Sequence, residues 1–163
     1  MKEHAIAMTT TRADQTASLR PATARDLPAL EQLLTASGLP LAGVAENLAS
    51  FVVAESDGKL VGVAGLEVCC NNALLRSVAV DPAWRGRGVG RQLVERVIAA
   101  AESRGIRALY LLTTTAEHYF PSFGFTRTTR EAVPEEVRAT AEFQGACPAS
   151  AVVMSRELVA VSA

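Results

Sequence analysis

Arg85-Gly86-Arg87-Gly88-Val89-Gly90 concentrates three glycines and two arginines in six residues, and Arg91 follows at once. Glycine leaves backbone N–H groups unshielded and lets the chain approach a ligand closely. The residues from Gly88 onward have helical periodicity. A helix starting there offers unpaired N–H donors and about half a positive charge. Together with Arg85, Arg87 and Arg91, that is a site for a polyanion, most plausibly a pyrophosphate. Two common phosphate loops do not fit. Gly90 is followed by Arg91-Gln92 rather than Lys-Ser/Thr, and the dinucleotide pattern would need glycine at 91.

Other groups with chemistry to offer are few. Arg76 stands on an apolar run from Leu74 to Val80, on the face of Leu74 and Val78 by period-two alternation. It could clamp a carboxylate or another oxyanion bidentately or pair with Glu67 across a sheet. Arg130 and the segment Arg138-Ala139-Thr140-Ala141-Glu142-Phe143 form a second, later candidate group. Cys69-Cys70 could suit a soft ion, but neighbours on a strand face opposite ways, so small buried hydrophobes are the better reading. His4 and His118 have no metal-ligand spacing around them, and there is no CxxC, so no metal is expected.

The elements that must position these residues can be read in order. Ser18-Leu19-Arg20-Pro21 reads as a first strand. Thr23 or Asp26 then caps a helix carrying Leu27, Leu30, Leu33 and Leu34, stopped by Gly38. A second short helix would carry Leu41, Val44, Leu48 and Phe51. The runs 51–55 and 59–67 flank Ser56-Asp57-Gly58, a strong hairpin signal. Asn71-Asn72 marks the next turn, and 74–80 the next strand. A helix over 88–104, with Val89, Leu93, Val97 and Ala100 on one face, leads to a buried strand over 107–113. A short helix over 116–122, a strand to about 130, a helix over 134–143 and a strand over 150–158 complete the chain. The order predicts a mixed α/β sheet with one crossover unit. Residues 18–159 read as one domain behind a flexible tail over 1–17.

Arg-x-x-Gly-x-Gly after a strand ending in V-x-V-x-P resembles the signature of the GNAT acetyltransferases. The segment Ala116-Glu117-His118-Tyr119-Phe120-Pro121-Ser122-Phe123-Gly124-Phe125 resembles that family's later motif, an aromatic followed by Gly-Phe. The resemblance covers about residues 18–159. It implies an α/β fold of six to seven strands whose central strands splay, flanked by helices, and an acetyl-CoA-dependent N-acetyltransferase. The pantetheine arm would pair with the backbone of Val78, Ala79 and Val80. The pyrophosphate would sit on the N–H groups of Arg87, Gly88, Val89, Gly90 and Arg91, with Arg85 beside them.

An alkyl ammonium with a pKa near ~10.4 must lose a proton before it attacks, at a cost of about 4.6 kcal/mol at pH 7. Glu67, ending a strand expected to flank the cleft, is the candidate general base; a solvated strand-end carboxylate is the alternative. An arylamine would need no base. The resemblance places a proton-donating tyrosine where Phe120 stands, so Phe120 lines the thioester site without a proton to give. Tyr119 is the neighbouring candidate acid, although on a helix it would face elsewhere. Arg76, Glu67 and Arg138 are the expected acceptor-binding residues.

LLRSVAVDPAWRGRGVG, YLLTTTAEHYF and RATAEFQGACPASAVVM together look like the bacterial GNAT subfamily associated with arsenic-resistance gene clusters. That resemblance implies an amine-bearing organoarsenical as acceptor, with a free amino acid the runner-up. A non-catalytic acetyl-CoA sensor and a protein-lysine acetyltransferase are alternatives from other classes; no acidic cluster near the early helices favours the latter. A net charge of −1 argues against nucleic acid, and no apolar run spans a membrane. Three cysteines suit a reducing cytoplasm, and the resemblance leaves a homodimer open.

Overall fold

The computed structural model describes residues 16–158. Most of the expected tail over 1–17, with His4 and Met8, and Val159 at the expected domain end therefore lie outside the described residues. Seven strands form one sheet in the order β1-β2-β3-β4-β5-β7-β6. They are β1 (Ser18–Pro21), β2 (Phe51–Ser56), β3 (Lys59–Cys69), β4 (Asn72–Val80), β5 (Ala108–Thr113), β6 (Thr126–Thr128) and β7 (Val152–Glu157). The helices are α1 (Leu27–Ala36), α2 (Val89–Ser103) and the single turn α3 (Glu135–Arg138). No helix among the described residues is long and apolar enough to cross a membrane.

All strand pairs are antiparallel except β4 with β5, which α2 joins by a crossover. Neighbours on a strand face opposite sides, and the core divides accordingly. Ala54 and Leu75 join the α2 cluster with Leu93, Val97 and Phe125. Val53 joins Leu30 and Leu34 of α1 on the other face. Leu74 joins Val137 of α3 and Val153 of β7 on that same face, further along the sheet. Helices α1 and α3 thus cover two ends of one face and leave a gap between them. The buried stripe of α2 is Val89, Leu93, Val94, Val97, Ile98 and Ala101, so Ala101 rather than Ala100 completes it.

Several boundaries differ from the expectations, each for a local reason. The β2–β3 hairpin turns on Asp57 and Gly58, both at positive φ (51° and 75°), as a two-residue turn between strands requires. The next hairpin turns one residue earlier than Asn71-Asn72, because Cys70 takes φ 58° and Asn72 already pairs with Cys69. Cys70 is therefore exposed at a turn rather than a buried strand residue, while Cys69 is half-buried. The expected second helix is a 3-10 segment, Ala45–Ser50, and Phe51 opens β2 instead of closing that helix. The expected short helix over 116–122 is a 3-10 turn at Phe120–Phe123, and β6 ends at Thr128. The expected helix over 134–143 ends at Arg138 with Ala139 as its cap, and a wide turn, Glu142–Ala146, follows, in which Gln144 and Gly145 (φ 120°) leave helical geometry.

Candidate active site

Strands β4 and β5 pair only through Asn72, Ala73 and Leu74, opposite Ala108, Leu109 and Tyr110. Beyond Leu74 they separate, and the β5-facing backbone edge of β4 has no strand to bond. Unpaired backbone groups at such an opening are ready partners for amides of a ligand. The register of β3 against β4 also slips here: Val63 lies opposite Ala79, but Gly65 lies opposite Arg76. One extra residue sits on β4, and Ser77 takes φ 60° to absorb it. The bulge breaks the period-two alternation. Arg76 stays on the face of Leu74, but Val78 packs with the α2 cluster on the opposite face.

A cleft of about 270 Å³ lies in this opening. On one side it is lined by Val78, the end of β5 through Ala116, Tyr119 and Phe120. On the other it is lined by Pro40 after α1, Arg76, Glu142, Cys147 and Pro148. The segments after α1 and after α3 thus fill the gap that the two helices leave.

The donor side is shaped by backbone. Gly88 caps α2 at φ 83°, in the left-handed region that side chains other than glycine rarely adopt. The next N–H groups, Val89 to Arg91, have no carbonyl within the helix to bond. Arg85, Arg87 and Arg91 are exposed around that end. Arg87 lies over the Trp84 ring at 4.7 Å, and Arg91 over Phe123 at 4.7 Å with a hydrogen bond to Ser122 Oγ at 3.2 Å. These stacked guanidiniums are held in place by aromatic faces while their outer edges remain in solvent. Tyr119 does not face elsewhere. It precedes a 3-10 turn rather than lying within an α-helix, so it lines the cleft alongside Phe120. Its Oη comes within 3.4 Å of where a side chain on Gly90 would begin, which links the cleft to the first turn of α2. Burial, with Glu95 adding and Arg91 opposing, holds the Tyr119 phenol above its usual range. Phe120 is buried and packs edge-on against Phe125 at 5.9 Å.

The acceptor side is shaped by charge. The Arg76 side chain is fully buried (0% exposed), and its Nη1 donates to Glu67 Oε1 at 2.9 Å. Its Nε donates to Ser77 Oγ at 3.1 Å and lies 3.1 Å from Glu142 Oε2. Nη2 reaches the Pro40 carbonyl at 3.5 Å, the outer limit of a hydrogen bond. Gly43 lies directly over the guanidinium, where a side chain would come within 2.7 Å of Nη1. Of the two readings of Arg76, the pairing with Glu67 is present, and the same residue also lines the cleft. Glu67 touches the cluster from behind and is not among the residues lining the cleft.

Glu142 lies in the late candidate segment but is not singled out within it by sequence, and it is the residue of that segment that reaches the cleft. Its side chain is 5% exposed and lines the cleft. Burial pushes its carboxyl above the usual carboxylate range, against the pull of Arg76 and a hydrogen bond from Cys147 Sγ at 3.5 Å. The same burial, with Glu142 beside it, pushes the Cys147 thiol up to about 12. A signal was available: Glu142 is the single charged residue between Arg138 and Arg156. Arg138 itself corrects the expectation. It is exposed and does not line the cleft, because neighbouring Val137 takes the buried face of the one-turn α3. Arg130 instead donates to the Pro148 and Ala149 carbonyls (3.4 Å each) and covers the Phe143 ring, bracing the loop behind Cys147.

A sheet with one splayed parallel pair, a glycine-rich helix start at its open end and a bulged strand between defines a recognisable class. Residues 47–127 match the acetyltransferase (GNAT) domain family. An amino-acid acetyltransferase from Mycobacterium tuberculosis (strain ATCC 25618 / H37Rv) is 34% identical over 129 residues, 73% of this chain and 74% of that protein. One from Ralstonia nicotianae is 33% identical over 100 residues, 60% of this chain and 22% of that protein. Among solved structures, N-acetylglutamate synthase from Neisseria gonorrhoeae, complexed with coenzyme A and N-acetyl-glutamate, superposes with a TM-score of 0.76 at 26% identity. That match covers 88% of this chain and 35% of the other. A Mycobacterium tuberculosis protein in complex with CoA gives a TM-score of 0.74 at 27% identity, covering 87% and 99%. The chain belongs to the GNAT acetyltransferase family. It spans 22% of the length of the Ralstonia relative and 74% of the Mycobacterium one.

Proposed function

We propose that the protein transfers the acetyl group of acetyl-CoA to the primary amine of a small amino acid or a closely amino-acid-like molecule. The observation that carries this is the buried Arg76 guanidinium at the acceptor end of the cleft, with Nη2 only weakly engaged by Pro40. A carboxylate is the natural partner for such a fork, and the bidentate geometry would fix the amine next to it. The names of the relatives, and the N-acetyl-glutamate beside coenzyme A in the gonococcal enzyme, support the same acceptor class.

The donor site fits coenzyme A. The open edge of β4 at Val78, Ala79 and Val80 offers backbone groups to the pantetheine amides. The first turn of α2, at Gly88, Val89, Gly90 and Arg91, offers N–H groups to the pyrophosphate, with Arg85 and Arg87 adding charge. The bound thioester supplies an activated acetyl carbon. Phe120 shields that position from water and offers no proton, and Tyr119, next to Gly90, offers a hydroxyl on the donor side. The amine proton falls to a carboxylate beside Arg76, either Glu67 or Glu142.

A second acceptor, an amine-bearing organoarsenical, is favoured by one feature. The late segment that resembles the arsenic-resistance subfamily is the segment that supplies Glu142, Ala146, Cys147, Pro148 and Ala151 to the cleft. Thiol release from acetyl-CoA, measured against a panel of amino acids, amino-acid-like arsenicals and aminoaryl arsonates, tests both. Release with the first two classes supports the proposal, and preference among them names the acceptor. Acetyl-CoA binding without release on any amine would contradict it and leave a sensor.

A further inference from the structure

The Arg76 cluster contains two carboxylates and one arginine, and the two acids are placed differently. Glu67 comes from β3, bonds Nη1 from behind the guanidinium and stays out of the cleft. Glu142 comes from the broken segment after α3, faces Arg76 Nε and lines the cleft within the splay. An α-amino acid carries its nitrogen one carbon from its carboxylate. A molecule held on Arg76 therefore presents its ammonium to the carboxylate that shares the cleft with that arginine.

We infer that Glu142 receives the proton of the acceptor ammonium, and that Glu67 is a positioning residue that holds Arg76. This rests on the amino-acid acceptor proposed above. In the step, one N–H bond of the ammonium breaks and its proton passes to a Glu142 carboxylate oxygen. The freed nitrogen lone pair forms the C–N bond as the C–S bond of the thioester breaks, its electron pair leaving on sulfur. The second nitrogen proton neutralises that thiolate through water, and Glu142 returns its proton to solvent, so one proton is released per acetyl group.

The surroundings of Glu142 support the role. Arg76 and Glu67 face it from the sheet and Cys147 from its own turn, with Arg130 acting on Cys147 from the loop before α3. Burial outweighs the arginine and leaves the carboxyl with a higher proton affinity than an exposed glutamate, closer to what a base working near neutral pH needs. Gln144 and Gly145 leave helical geometry just after Glu142, within the turn that lines the cleft with Glu142, Ala146 and Cys147.

The test is steady-state kinetics of the wild type, Glu142→Gln, Glu142→Asp and Glu67→Gln with the best amino acid from pH 6 to 9. Glu142→Gln should lose kcat about 100-fold or more near pH 7 while acetyl-CoA KM changes little. Its rate should then climb about tenfold per pH unit, as the neutral fraction of the amine does. Glu142→Asp should recover part of the rate. Glu67→Gln should raise the acceptor KM with kcat within a few-fold. Wild-type-like kcat in Glu142→Gln, a loss equal at every pH (a structural role), or transfer of the pH effect to Glu67→Gln would overturn the assignment alone. If the wild type acetylates no amino acid, the acceptor reading falls and this inference with it.

Discussion

Two clusters in this molecule have the same composition, one arginine between two carboxylates, and opposite chemical characters. In the first, Arg20 on β1 forks onto Asp26 at 2.8 Å through both Nη groups and reaches Glu55 at 3.1 Å. Asp26 also accepts from the Thr23 N–H at 2.7 Å, closing the turn that starts α1. Hydrogen bonds from Arg20 and Thr23 outweigh burial and hold Asp26 well below the usual carboxylate range. In the second, Arg76 is fully buried, its donors are divided among four oxygens, and burial of Glu142 outweighs the arginine. The difference is what satisfies the acid. Asp26 has a bidentate fork and a backbone donor, whereas Glu142 has one nitrogen at 3.1 Å and a weak thiol donor. The first cluster is built to hold a turn, and the second leaves a carboxylate with unused basicity facing a cleft.

Replacing the arginines should separate the two most strongly. Arg76→Met strands two carboxylates around a buried apolar side chain and should cost about 3–5 kcal/mol in urea unfolding. Arg20→Met should cost about 1–2 kcal/mol, because Glu55 is 31% exposed and Asp26 keeps its backbone donor. Equal losses would break the comparison. The conservative pair sharpens it in function. Arg76→Lys keeps the charge and loses the fork, and should raise the acceptor KM roughly tenfold or more while acetyl-CoA KM stays put. Arg20→Lys should leave both unchanged.

The smallest effects should be in pH dependence, with opposite signs. Asp26 has a depressed folded pKa, so its stabilisation is present above the ordinary carboxylate range and is lost as pH falls through it. The penalty of Asp26→Asn in melting temperature should therefore shrink from pH 7 to pH 3. Glu142 has a raised folded pKa, so its protonated form favours folding below the ordinary range and that contribution is lost as pH rises. The melting temperature of Glu142→Gln should gain on the wild type from pH 4 to pH 8. The variant would trade activity for stability.

Legibility in the sequence depends on how local each part is. The first strand, the Asp57-Gly58 hairpin and the Arg85–Gly90 turn into α2 each occupy a few consecutive residues, so type and spacing carry them; Gly88 sits at the positive φ that a glycine there promises. The Arg76 cluster is assembled from 40, 67, 76 and 142, and no spacing encodes that. Period-two alternation failed for Val78 because a single residue, Ser77, adopts φ 60° and inverts the facing of the residues after it. The helix expected over 134–143 stops at Arg138, so Glu142 lies in a separate turn, and in the one-turn α3 it is Val137 that holds the buried face while Arg138 is exposed. The carboxylate isolated among small and apolar residues was the one local clue.

The most direct test compares an amino acid with the amine left by removing its carboxylate, at equal acetyl-CoA, by thiol release from the wild type. If Arg76 reads an acceptor carboxylate, kcat/KM for the amino acid should exceed that for the decarboxylated amine by about 100-fold or more, and Arg76→Lys should narrow the gap. Equal turnover of the two, or none with either, would contradict an amino-acid acceptor bound on Arg76.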